Sequence, residues 1–148
     1  MATPDQKLLL QFAVSSVMVV LCVAIHGLGL FGLNRALRTE ASIERLQRIE
    51  PLSPRGTAFT LAVVIAMLAL HGVEIWLFAF AYLVLGAIPQ LEPALYFSTI
   101  SYSTVGYNDL HVAPDWRLLG AFESVLGIFL LGWSTAFFFR MTGRIDPH

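Results

Sequence analysis

Between two long apolar runs of this 148-residue chain lies "TISYSTVGYND", residues 99 to 109. Its backbone carbonyls and hydroxyl oxygens are groups that could hold a cation stripped of its water. If four copies surrounded an axis with backbone carbonyls of the segment from Thr104 to Asp109 facing it, those oxygens, with the Thr104 hydroxyl at the inner end, would replace the ion's hydration shell. Carbonyls of consecutive residues face one way only where some residues leave the usual dihedrals, and Gly106 takes φ > 0 without a side-chain clash. Other chemistry-bearing residues interrupt the apolar runs themselves: His26, His71, Glu74 and Glu123. An ionised carboxylate at membrane depth costs at least ~2.5 kcal/mol, so both acids are expected to be neutral, near an interface, or paired. His71 and Glu74, three apart on one helix face, are expected to form with Glu123 a hydrogen-bonding shell that braces the polar stretch and senses protons. The competing reading is a metal site of His26, His71, Glu74 and Glu123, as in an intramembrane enzyme, although the HExxH helix signature is absent.

The elements that must position these residues follow from composition. Hydrophobic residues make up 57% of the chain and charged residues 13%, against about 45–50% and 25% in a soluble domain. A water-soluble fold could not cover that much apolar surface. The net charge of −1 argues against nucleic acid as a partner. Cys22, the single cysteine, excludes a disulfide within the chain and reads as a small hydrophobe. Three segments suit a bilayer: about 8–33, 57–88 and 118–139. The first would reach roughly 39 Å as a helix and is too long for a signal peptide core. Residues 89–117 are too polar to cross alone, which predicts a re-entrant segment whose backbone is satisfied by protein or trapped water. Within it a short helix is expected from Glu92 to Tyr102, with Pro93 near its start and Leu95, Tyr96 and Ile100 able to pack.

Seven of the nine basic residues lie in the connector 34–56 (Arg35, Arg38, Arg45, Arg48 and Arg55) and the tail (Arg140 and Arg144), which places both in the cytoplasm. The N-terminus and the 89–117 loop then lie outside, where Asp5, Glu92, Asp109 and Asp115 outnumber Lys7 and Arg117 and would concentrate cations. In the connector, Leu37, Ala41, Ile43, Leu46 and Ile49 are interleaved with Arg and Glu until Pro51 and Pro54, the pattern of an interfacial helix or of a cytoplasmic continuation of the first span; a solvated linker is the alternative. No regular arginine series suggests voltage sensing, and with eight residues after Arg140 no cytoplasmic ligand-binding domain is expected.

The stretch "ALYFSTISYSTVGYNDL", residues 94–110, resembles the pore helix and selectivity filter of tetrameric potassium channels, whose consensus TVGYGD it matches in five of six letters. "HGVEIWLFAFAYLVLG" resembles the outer helix of small bacterial members, and "LLGAFESVLGIFLLGWSTAFFF" the inner helix, with Glu123, Gly127 and Gly132. The likeness covers roughly residues 57–140; the first span and connector are additional. It implies an all-α membrane protein with three transmembrane helices, a re-entrant pore helix and a selectivity-filter loop, built as a homotetramer in the cell membrane. It also implies a passive, potassium-selective channel, not an enzyme, whose partners are its own copies, membrane lipids and permeant monovalent cations. No cofactor is expected beyond permeant K+ at Thr104, Val105, Gly106 and Tyr107. Asn108 and Asp109 would form the rim. Tyr96, Ser103, His71, Glu74 and Glu123 would support the filter, with Tyr96 bonding Asp109 behind it, and Gly127 or Gly132 would let the inner helix bend or pack closely. The expected division is 1–56 for the first span and connector, 57–140 for the pore domain and 141–148 for the tail. Asn108 stands where the consensus has glycine. Asn tolerates φ > 0 better than most residues, so conduction is expected to survive there, while a weakly selective or silent channel-like scaffold or sensor is the alternative.

Overall fold

The computed structural model describes residues 3–37, 53–106 and 112–143. Four α-helices and a short 3-10 turn account for almost all of them, and no strand occurs among the described residues. Helix α1 runs from Pro4 to Ala36. Its start is fixed by Thr3, whose hydroxyl accepts from the Gln6 N–H while the Gln6 side chain accepts from the Thr3 N–H, with Pro4 at the first helical position. Helix α2, Pro54–Val84, begins the same way, with Ser53 accepting from the Gly56 N–H at 3.1 Å. The amphipathic connector helix expected near 37–49 lies almost wholly outside the described residues.

Helix α2 stops four residues short of the expected Ile88. The cause is Gly86, whose φ of 64° allows a left-handed stop: Gly86 N–H bonds the Leu83 carbonyl at 3.1 Å and Ala87 N–H that of Tyr82 at 2.9 Å. The following residues turn back, and helix α3, Leu91–Tyr102, begins one residue before the expected start. A 3-10 turn, Pro114–Trp116, leads into helix α4, Arg117–Thr142, which is unbroken through Gly127 and Gly132. Three segments are long and apolar enough to cross a bilayer: Pro4–Ala36, Pro54–Val84 and Pro114–Thr142. At about 18 Å, the twelve residues of α3 are too short for the ~30 Å hydrocarbon core.

Helix α3 packs between α2 and α4, and α1 packs on α4 and α2. The buried residues of α1, Ser15, Met18, Cys22, His26 and Leu30, recur every three or four positions and form one stripe. The opposite side keeps Val20, Leu28 and Phe31 exposed, as expected for a helix facing lipid or further protein. Lys7 Nζ lies 2.6 Å from Asp115 Oδ2, and Gln11 Oε1 accepts from the Leu118 N–H. The start of α1 and the start of α4 therefore share one end of the bundle, matching the expected number of crossings.

Close backbone approach sets the depth of α3. A Cβ at Gly127 would lie 2.0 Å from the carbonyl oxygen of Tyr102, and one at Gly120 would lie 3.0 Å from the Phe97 ring. Phe97 in turn meets Tyr82 edge to face, with centroids 5.2 Å apart. Gly127 is thus a packing position that lets α4 touch the end of α3. Gly132 has open space within the protomer. Gly127→Ala is expected to prevent native packing, read as loss of a monodisperse species in detergent, whereas Gly132→Ala leaves the protomer fold intact.

Candidate functional site

The end of α3 leads into the polar stretch, and its backbone is unusual there. Ser103 N–H bonds the Thr99 carbonyl at 3.1 Å and Thr104 N–H that of Ser101 at 2.9 Å, while Gly106 N–H reaches back to Ile100 at 3.0 Å. Thr104 has φ of 63° and Gly106 of 44°. Glycine accepts this region freely; a β-branched threonine does so at a cost of roughly 1–3 kcal/mol and only where the surroundings enforce it. Such strain concentrates where function requires a particular backbone. The C-terminal end of α3, with its partial negative charge, lies immediately before this turn. Tyr107, Asn108 and Asp109 lie outside the described residues.

Two buried networks hold α3 in place. The first centres on Glu74, fully buried on α2. His26 of α1 places Nδ1 2.9 Å from Glu74 Oε1, and its Nε2 is 3.2 Å from the Ser134 hydroxyl of α4. The Tyr102 hydroxyl, from the last residue of α3, donates to Glu74 Oε2. His71 Nδ1 lies 2.8 Å from that same hydroxyl and 3.4 Å from Glu74 Oε2. Every bond finds a donor when both histidines carry their proton on Nδ1 and Ser134 donates to His26. All four helices meet in this one cluster, two residues from the strained Thr104.

The second network centres on Glu123 of α4, also fully buried. Tyr82 of α2 donates to Glu123 Oε2 at 2.6 Å, and the Ser98 hydroxyl of α3 lies 2.5 Å from Oε1. Ser98 also lies 2.8 Å from the Ile75 carbonyl. With one proton for two acceptors, Ser98 can turn to Ile75 only when the Glu123 carboxyl supplies the hydrogen of the other bond. This network ties the middle of α3 to both long neighbours.

The single shell expected of His71, Glu74 and Glu123 is therefore two separate shells, because the helices bring Glu123 to Ser98 and Tyr82 rather than to Glu74. Of the four residues weighed as metal ligands, His26, His71 and Glu74 come together with ligand atoms within 4.8 Å of one another, and Glu123 is not in that group. Ser103 returns its hydroxyl to the Thr99 carbonyl of its own helix. Tyr96 is exposed in the protomer, and its expected partner Asp109 lies outside the described residues. Sequence reasoning missed Tyr82, Ser98, Tyr102 and Ser134. Ser98 and Tyr102 belong to a visibly polar stretch, but Tyr82 and Ser134 look like ordinary residues of apolar helices.

A bundle of membrane-crossing helices that folds a half-length helix and a strained polar turn between two of them defines a channel-like membrane protein. The sequence profile of the family described as "Ion channel" matches residues 59–144, from α2 to beyond the end of α4. The chain belongs to this family, within the potassium-channel-like superfamily. No curated protein and no solved structure matches it significantly.

Removing the Tyr82 hydroxyl would leave a buried Glu123 oxygen without its donor. Tyr82→Phe is expected to destabilise the protomer by about 1–3 kcal/mol, measured by chemical unfolding in micelles. Tyr96→Phe, at an exposed phenol, is the control expected to show no such loss.

Proposed function

We propose that the chain is a passive potassium channel in which four copies surround an axis lined by Thr104, Val105, Gly106 and Tyr107. The observation that carries this reading is the turn after α3, where Thr104 and Gly106 both have positive φ. A backbone bent this way can present successive carbonyl oxygens along one line, and four such lines replace the water of a dehydrated cation. Helix α3 is then the pore helix, with its negative end towards the ion. Its sides are held by the Glu74 and Glu123 networks, so the turn is positioned by buried hydrogen bonds rather than by loop chemistry alone. One strand cannot encircle an ion, so a homotetramer follows. Val125, Ile128 and Phe129, exposed on α4 in the protomer, are available for the pore or for neighbouring copies.

Residues 57–140 form the pore unit, 1–56 supply the first span and connector, and 141–148 are the tail. The basic connector and tail face the cytoplasm, and the N-terminus and the 89–117 segment lie outside. Asn108 and Asp109 form the outer rim. Flow is down the electrochemical gradient, with no reaction catalysed and no cofactor required.

Reconstitution into planar bilayers tests this. Under bi-ionic conditions the reversal potential is expected to report preference for K+ over Na+, and Gly106→Ala to abolish current while leaving oligomer size unchanged. A correctly assembled oligomer that passes no cation contradicts the reading and favours a channel-like scaffold. At the rim, Asn108→Gly is expected to leave K+ current intact, measured in the same bilayers.

A further inference from the structure

We propose that His26, His71 and Glu74, with the Tyr102 hydroxyl as a fourth donor, form a reversible binding site for a divalent transition-metal ion of the zinc class. The three ligand atoms come from two helices and lie within 4.8 Å of one another. Two imidazoles and one carboxylate suit zinc and its neighbours rather than magnesium or calcium, which prefer oxygen donors alone. Around a tetrahedral ion with bonds of about 2.0–2.1 Å, neighbouring ligand atoms sit roughly 3.4 Å apart. His26 Nδ1 lies 2.9 Å from Glu74 Oε1 and His71 Nδ1 lies 3.4 Å from Glu74 Oε2, so each imidazole already faces one carboxylate oxygen at or below that spacing. The Tyr102 hydroxyl, 2.8 Å from His71 Nδ1 and hydrogen-bonded to Glu74 Oε2, is close enough to both to serve as the fourth ligand.

Binding releases no proton when Tyr102 ligates as the neutral phenol, its hydroxyl hydrogen turning away from Glu74 Oε2 as the carboxylate exchanges that hydrogen bond for the metal. Coordination at Nδ1 of each histidine moves the ring proton to Nε2. For His26 that nitrogen faces Ser134 Oγ at 3.2 Å, which then accepts instead of donating, the outer-sphere arrangement usual for metal-bound histidine. A route in also exists. A cavity of about 250 Å³ opens between α2 and α4, lined by Val64, Met67, His71, Ser134, Thr135 and Phe138 among others. It brings the outer edge of the cluster to the protomer surface at His71, the one ligand that is not fully buried. Glu123, committed to Tyr82 and Ser98, takes no part.

The site joins α1 to the last residue of α3, so an occupant would act on the turn at Thr104 from behind. Its existence does not depend on conduction and is tested by binding alone. Full-length protein, purified in detergent and freed of metal by a chelator, is titrated with CoCl₂. The expected result is one Co²⁺ per chain with the intense visible absorption of a tetrahedral ion. His26→Gln and His71→Gln should each weaken binding by at least about tenfold, as should the outer-sphere change Ser134→Ala, a substitution that spares the ligands should the histidine variants fail to fold. The proposal is overturned if wild-type protein binds no cobalt, if the bound ion has only weak octahedral absorption, or if affinity is unchanged in Ser134→Ala and in the folded histidine variants.

Discussion

A carboxyl group held at membrane depth must find its partners inside the protein, and Glu74 finds them on α1 and α3 as well as on its own helix. Nothing in hydrocarbon could replace His26, Tyr102 or His71 as a neighbour, so the requirement to satisfy one side chain relates three helices directly, and α4 joins them through Ser134 on His26. The same demand applied to Glu123 fixes the middle of α3 through Ser98 and Tyr82. Between them the two acids hold a helix too short to span and bring its end to Gly127, where the missing Cβ admits the Tyr102 carbonyl. The strained turn at Thr104 begins where these constraints converge. A threonine at φ of 63° persists because its surroundings are over-determined, not because the local sequence prefers it.

The helix that precedes the family-matched region is part of this arrangement. His26 contributes to the Glu74 cluster from α1, and the pair Lys7 with Asp115 joins the start of α1 to the segment leading into α4. That exposed ion pair adds at most about 1 kcal/mol, so the buried contact at His26 does more to dock the helix. The division drawn from sequence between a first span and a separate pore unit is therefore crossed by a fully buried polar contact, His26 with Glu74.

Much of the architecture was legible from hydropathy, because length in oil is a direct demand on residue type. All three crossing helices and α3 follow from it within a few residues. The boundary error at the end of α2 came from reading Leu85–Ile88 as more helix when Gly86 provides a left-handed stop. The site was legible only as a set of polar residues in the wrong solvent. Which of them meet depends on helix rotation and crossing: His26 and Glu74 are 48 positions apart, and no local pattern links them. Tyr82 and Ser134 gave no signal, since a tyrosine or serine in an apolar helix is unremarkable until a buried acceptor faces it. Gly127 carried a signal with two readings, bending and close packing, and the carbonyl against it supplies the second.

The central claim is that the turn beginning at Thr104 is an ion path held by buried hydrogen bonds. The most direct measurement is an anomalous-scattering map of the assembled protein in rubidium, which substitutes for potassium and is itself visible. The account predicts rubidium peaks on a four-fold axis beside the carbonyls of Thr104, Val105 and Gly106. An assembly whose Thr104 turns face lipid or lie away from any symmetry axis, with no rubidium beside them, would contradict it.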